Sequence, residues 1–154
     1  MTPGPTARLA ELGMVLPPPP TPKGTYTPVV ISGKFAFVSG QIVFEDGKVV
    51  APGLVDRDVP FAVGQDLARR ATLQALSALG SALGTLDRIC QVVRVGVYVA
   101  SSPGFARQHE VANGATDLLV EVFGEAGRPA RTSVGVPSLP LDAPVEVELV
   151  VAVE

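Results

Sequence analysis

The sequence predicts an α+β fold in which two helices pack on one face of a mixed β-sheet. Predicted strands occur in adjacent pairs on either side of the helical region, at residues 28–50 and 131–153. Between them lie two amphipathic helical patterns, separated by residues 91–100, a strand that is apolar on both faces. The resulting run of elements, β-β-α-β-α-β-β, is too short for a doubly wound fold, and its hairpin-like strand pairs favour an α+β sheet.

The composition is that of a globular protein. Hydrophobic residues make up 47% of the chain and charged residues 18%, which suits a packed core and suggests a buried subunit interface. The net charge is -3 and no block of lysine or arginine offers a surface for phosphates, which argues against nucleic-acid binding. Because no apolar run has the length of a membrane span and residues 1–13 lack a signal-peptide pattern, we expect a cytoplasmic protein without membrane contact.

The N-terminal residues 1–23 are expected to precede the folded domain, which we place at residues 24–154. A short helix is predicted at residues 6–13 and would end at Gly13. The proline strap, defined as residues 16–24 with the sequence LPPPPTPKG, favours an extended polyproline conformation because it has few free backbone donors. We expect it to be a spacer or to lie over the domain.

Two tight turns organise the first strands. Gly33-Lys34 separates two apolar segments, and Asp46-Gly47 is a second hairpin signal. Strand alternation then divides six residues between two faces of the sheet. One face carries Phe35, Phe37 and Ser39, and the other carries Ala36, Val38 and Gly40.

The first long helix is predicted to follow Asp58, which we assign as its N-cap, with Pro60 near the first turn. Gly80 and Gly84 mark its end. Its apolar stripe recurs every four residues, at Val63, Leu67, Ala71, Ala75 and Leu79. The small residues of this stripe suit close packing of the helix on a sheet.

The second helix is predicted to begin at Ser102-Pro103 and to run to about Phe123, with Gly124 as its C-terminal cap. Its apolar stripe consists of Val111, Ala115, Leu118 and Val122. The two helices cover one face of the sheet, and six apolar strand residues argue against an entirely polar opposite face. These residues are Val93, Val95, Val97, Val147, Leu149 and Val151. We therefore expect oligomerisation through the sheet.

The single cysteine and the single histidine carry little chemistry by themselves. Cys90 excludes an internal disulfide and a cysteine metal cluster, and its position at the start of a strand favours a buried structural thiol over a nucleophile. His109 is expected on a helix surface rather than as a ligand.

The last two strands place charged residues in apolar sequence. Arg131 lies in the first of them, and Glu146 and Glu148 share one face of the second. If a turn near Ser138 joined the strands as a hairpin, Arg131 would lie roughly opposite Glu146. Spacing alone favours a surface ion pair worth up to about 1 kcal/mol. The alternative is a site in which the guanidinium binds a carboxylate and a glutamate orients water.

Three motifs bear on this choice: VSGQI at 38–42, RPARTSVGVPSLP at 128–140 and VEVELVVAV at 145–153. In this order the chain resembles the RidA/YjgF superfamily of reactive-intermediate deaminases over roughly residues 24–154. The resemblance implies a chorismate-mutase-like α+β fold and a homotrimer with clefts between subunits. It also implies hydrolysis of enamines or imines such as 2-aminoacrylate to a 2-keto acid and ammonia, with no metal or organic cofactor.

The resemblance also implies roles for particular residues. Arg131 corresponds to the arginine that binds the substrate carboxylate, and Glu146 to the glutamate that positions the attacking water, in preference to Glu148. Four further residues correspond to family positions that bind substrate or line the cleft: Tyr26, Ser39, Ser133 and, after a shift of one residue, Asn113.

Two other functions remain open. The chain could be a trimeric binding or regulatory protein that holds a small carboxylate, such as a 2-keto acid, on Arg131 without turnover. Ribonuclease activity is ascribed to some members of the family, but the acidic charge and the lack of a basic stripe argue against it as the main role.

Overall fold

The computed structural model of the protein describes residues 2–154. Within this range a five-stranded mixed sheet carries two long helices on one face, which confirms the predicted α+β fold. The helices are α1 (Pro5–Glu11), α2 (Phe61–Leu83) and α3 (Gln108–Phe123). The strands are β1 (Val29–Ser32), β2 (Phe35–Gln41), β3 (Phe44–Glu45), β4 (Lys48–Val49), β5 (Ile89–Ala100), β6 (Ala130–Val136) and β7 (Val145–Val153). Both predicted turns are confirmed, since β1–β2 and β3–β4 are antiparallel pairs.

The strand order in the sheet is β1-β2-β7-β5-β6, so β6 and β7 are not neighbours. β6 runs parallel to β5, whereas β7 is antiparallel to β5 on its other side. The predicted hairpin, with Arg131 opposite Glu146, is therefore wrong. The reason is topological: α3 connects β5 to β6 as a crossover helix, which brings β6 alongside β5 in parallel.

The core lies between the helices and the inner face of the sheet. In α2 the residues Leu67, Ala71, Ala75 and Leu79 are buried as predicted, whereas Val63, in the first turn, is 36% exposed. All four residues of the predicted α3 stripe are buried. The alanines of α2 let its backbone approach the strands, and the inner face of the sheet contributes apolar side chains to the same core.

The helix ends match the prediction better than the helix starts. Gly84 has a φ of 83° and follows α2 as a left-handed cap, and Gly124 follows α3 with a φ of 60°. Asp58 is not the N-cap of α2, because its Oδ2 accepts a hydrogen bond from the Leu54 N–H at 2.9 Å. α3 begins at Gln108 rather than near Ser102, since the intervening residues form a loop.

The outer face of the sheet is partly apolar, but not through the residues expected from the sequence. Val95, Val97, Val147, Leu149 and Val151 are buried against the helices, because the strand alternation has the opposite phase. Val93 is half-buried and lies at an irregularity of β5 between Val92 and Arg94. The outer face instead presents four large apolar side chains, each between 41% and 50% exposed: Val30, Phe35, Phe37 and Val134.

The single cysteine and the single histidine both lie at the protein surface. Cys90 is exposed, so the predicted burial is wrong; its neighbour Ile89 takes the inward position at the start of β5. His109 lies on the surface of α3, as predicted. No helix in residues 2–154 combines the length and the apolar character needed to cross a membrane.

Candidate functional site

Glu146 lies on the outer face of β7, and its side chain lines a cavity of about 590 Å³. Its side chain is half-buried, and this burial raises the pKa of the carboxyl group; the nearby negative charge of Glu148 raises it further. Gly40 on the neighbouring strand makes room for the carboxylate, because a Cβ at this position would overlap Glu146 Oε1. The structure therefore holds a partly desolvated carboxylate at the surface of a cavity.

Glu148 has a different environment on the same face. The Tyr98 hydroxyl donates a hydrogen bond of 2.8 Å to Glu148 Oε1, and this bond raises the pKa of Tyr98. Gly96 provides the space for this pair, since a Cβ there would lie 2.8 Å from the same oxygen. Of the two acids, Glu148 is engaged by Tyr98, whereas no residue in the range 2–154 donates a hydrogen bond to Glu146.

The proline strap forms one wall of the Glu146 cavity. Pro17, Pro18, Pro20 and Pro22 all line it. The strap is attached to α2, because the Ser77 hydroxyl donates a hydrogen bond of 2.5 Å to the Pro17 carbonyl. Of the two expectations for this segment, a spacer or a strap lying over the domain, the structure shows the second.

Tyr26 and Ser39 belong to this half of the site in different ways. Tyr26 lines the cavity and is 55% exposed. Ser39 lies next to Gly40 but does not line the cavity; its hydroxyl donates a hydrogen bond of 2.7 Å to the Thr27 carbonyl. Ser39 thus fixes the segment that carries Tyr26 against β2.

Arg131 forms a second cluster at the edge of the sheet. Its Nη1 donates hydrogen bonds to Asn113 Oδ1 at 2.8 Å and to Thr116 Oγ1 at 3.1 Å, both on α3. Ser133 is half-buried two residues further along β6. The structure therefore brings Asn113 to Arg131, and it adds Thr116, which sequence reasoning missed. The sequence could have indicated Thr116, because it follows Asn113 by three residues and residues three apart on a helix share one face.

The two clusters lie on opposite faces of the sheet. Arg131 is aligned with Val95, whose side chain is buried under the helices, and its guanidinium contacts α3. Glu146 is aligned with Tyr98 on the outer face. Because the sheet separates them, the Arg131 and Glu146 side chains of one chain do not face a common ligand.

Comparisons with known proteins agree with this architecture. A family model described as "YjgF/chorismate_mutase-like, putative endoribonuclease" matches residues 6–153. Protein TCP17 of Trypanosoma cruzi is 44% identical over 146 residues, which is 94% of this chain and 91% of that protein. The crystal structure of a protein described as a putative endoribonuclease, from Shewanella oneidensis, superposes with a TM-score of 0.92 and 33% identity, covering 97% of this chain and 99% of that chain.

A solved structure with lower similarity bears the family name RidA, which the sequence motifs had suggested. RidA from a Psychrobacter species superposes with a TM-score of 0.60 and 25% identity, covering 88% of this chain and 94% of that chain. The family model spans nearly the whole sequence, and the solved structures share its sheet and helices. The chain therefore belongs to the YjgF/chorismate mutase-like family, which is the RidA/YjgF superfamily.

Proposed function

We propose that this protein hydrolyses enamine or imine intermediates bearing an α-carboxylate, such as 2-aminoacrylate, to a 2-keto acid and ammonia. The observation that carries the proposal is the Glu146 carboxylate. This carboxylate is half-buried, has a raised pKa and lines the cavity. No residue in the range 2–154 donates a hydrogen bond to it. A carboxylate in this environment is a better base than a solvated one and is free to bind water.

The proposed active unit is a homotrimer with its sites between subunits. Arg131 lies on the edge strand β6, and the Glu146 cavity lies on the outer face. A ring of subunits joined head to tail would place the Arg131 edge of one subunit against the Glu146 cavity of the next. The same contact would cover the exposed Phe35 and Phe37 of the outer face.

Arg131 is suited to bind the α-carboxylate of the substrate. Asn113 and Thr116 both accept hydrogen bonds from its Nη1, which fixes the guanidinium plane. The N–H groups of Nη2 and Nε remain for a carboxylate, and arginine can donate two parallel hydrogen bonds to such a group.

The reaction then needs little beyond positioning. An enamine first takes up a proton from solvent on its β-carbon and becomes a protonated imine, whose carbon is electrophilic. Glu146 accepts a proton as water adds to this carbon, and returns it to the nitrogen of the resulting carbinolamine. The C–N bond then breaks as Glu146 accepts the proton of the added hydroxyl group, ammonia leaves, and the added oxygen becomes the carbonyl of the 2-keto acid; Glu146 releases its proton to solvent.

The test is ammonia release from imines generated in the assay by an amino-acid oxidase. Wild type is compared with Arg131→Ala and with Glu146→Gln, which keeps the side-chain volume. We expect wild type to accelerate release over the uncatalysed reaction and each variant to lose most of that acceleration. Wild-type release equal to the no-protein control would refute the proposal.

A second function is favoured by one observation. The contacts that fix Arg131 do not involve Glu146, so binding of a carboxylate requires no turnover. A trimeric binding or regulatory protein for small carboxylates would bind 2-keto acids through Arg131 and show no acceleration of ammonia release.

A further inference from the structure

We infer that the proline strap forms the wall of the pocket that receives the side chain of the substrate. It thereby selects substrates with long, uncharged apolar side chains. The inference rests on the proposed function to the extent that the ligand reaches Glu146 with its α-carboxylate on Arg131. It adds a substrate class, namely the imines and keto acids of amino acids such as leucine, in preference to those of alanine or serine.

The shape of the cavity is the first argument. Tyr26, Gly40 and Glu146 lie in the same cavity as the prolines of the strap, so a ligand held at Glu146 has the strap within reach of its side chain. The cavity volume of about 590 Å³ is within the range of pockets that hold drug-sized ligands. A substrate with a one-carbon side chain would leave most of this space filled with water.

The chemistry of the walls is the second argument. Besides the prolines, Ile42, Phe44 and Leu141 line the cavity. Among the polar residues that line it, the Gln41 amide donates to the Ser39 carbonyl at 2.9 Å, and the Lys23 ammonium lies 4.0 Å from the centre of the Phe44 ring. These contacts engage the Gln41 amide and place the Lys23 charge on an aromatic face, which leaves apolar surface for the ligand.

The rigidity of the strap is the third argument. Proline fixes its own φ, and a polyproline segment therefore loses little conformational freedom when a ligand binds. The bond from Ser77 to the Pro17 carbonyl attaches the strap to α2 in the middle of a buried helix face. The wall is present before the substrate arrives, so burial of the substrate side chain contributes to affinity without an ordering cost.

The expected selectivity follows from the area that a longer side chain buries. Each additional buried methylene group strengthens binding roughly fourfold. The leucine side chain has three more carbons than that of alanine, so we expect at least about tenfold tighter binding even with incomplete burial.

The experiment measures binding and turnover separately on the full chain. Calorimetry gives the Kd of the keto acids of alanine, leucine and glutamate, and ammonia release gives kcat/KM for the corresponding imines. Thr21→Trp fills the cavity from an exposed position of the strap, and Ser77→Ala removes the attachment. Ser81→Ala, an exposed serine on the same helix, is the matched control.

We expect wild type and Ser81→Ala to bind the leucine keto acid at least about tenfold more tightly than the alanine keto acid. Thr21→Trp should reduce this ratio to near one with little change for the alanine keto acid, and Ser77→Ala should reduce it in part. Equal affinities in wild type, an unchanged ratio in Thr21→Trp, or tightest binding of the glutamate keto acid would overturn the inference. Selective binding without ammonia release would instead refute the deaminase proposal alone, and ammonia release without selectivity would refute the strap inference alone.

Discussion

Replacing Gly40 with alanine tests whether the position of the Glu146 carboxylate controls ammonia release. The backbone of Gly40 is not in the left-handed region, so alanine introduces no backbone strain. The added Cβ would overlap Glu146 Oε1 and lie 2.8 Å from the carboxyl carbon, which is shorter than ordinary van der Waals contact. The carboxylate, as the end of a flexible side chain, must therefore move.

The size of the effect follows from this displacement. Relief of the contact moves the carboxylate by about 1 Å, and a misplacement of this size costs about a hundredfold in rate. This corresponds to roughly 2.7 kcal/mol in the activation free energy. The free energy of unfolding should change by no more than about 1 kcal/mol, because the glutamate can yield and alanine restricts the unfolded chain.

The assay is kcat/KM for ammonia release, together with urea denaturation of the same samples. Gly80→Ala is the matched control, since its Cβ would meet only Leu86 at 3.8 Å. We expect the control to retain full activity and to be stabilised by up to about 1 kcal/mol. A folded Gly40→Ala protein with wild-type activity would refute the argument that the geometry of Glu146 governs the reaction.

Three further predictions concern charge and positioning. Glu148→Gln removes a negative charge that raises the pKa of Glu146, so the acid limb of the pH–rate profile should move to lower pH; an unmoved limb would show that Glu146 is not the titrating base. Glu146→Gln should raise the free energy of unfolding at pH 7. The pKa of Glu146 is higher in the folded than in the unfolded protein, so this carboxyl group destabilises the folded state as the pH rises above the unfolded-state pKa. Urea denaturation should show this gain at neutral pH and its disappearance at pH values below the unfolded pKa, and a loss of stability at pH 7 would contradict the raised pKa. Asn113→Ala removes an acceptor from Arg131 and should raise KM about tenfold with a smaller change in kcat, whereas an unchanged KM would argue against Arg131 as the carboxylate-binding residue.

Much of the fold could be predicted because it depends on local sequence. The four-residue repeat from Leu67 to Leu79 can bury one face only as a helix, and Gly84 marks the residue where the chain leaves that helix. The turn at Gly33 likewise joins two strands that must pair. Each of these features is determined by residues close together in the chain.

The arrangement of the last strands could not be predicted by the same reasoning. Residues 137–144 are long enough either for a hairpin turn or for passage from one side of β5 to the other. The crossover through α3 decides between these, and the register of β6 on β5 places Arg131 on the face opposite to Glu146. The spacing of Arg131 and Glu146 in the sequence contains no information about this choice of face.

The site shows the same division. The motifs point to Arg131 and Glu146 as candidate site residues, and the three-residue spacing from Asn113 on one helix could have pointed to Thr116. The role of the strap depends on a tertiary contact between Ser77 and the Pro17 carbonyl, sixty residues apart in the chain. Its proline content predicts an extended conformation but not the surface on which the segment lies.

The most direct test of the account is complementation between two inactive variants. Arg131→Ala and Glu146→Gln proteins are unfolded together in equal amounts, refolded together so that the proposed trimers contain both variants, and assayed for ammonia release. If each site takes Arg131 from one subunit and Glu146 from its neighbour, random mixing restores roughly a quarter of the wild-type sites. We predict recovery of about that fraction of wild-type activity, whereas mixed trimers as inactive as either parent would contradict a site shared between subunits.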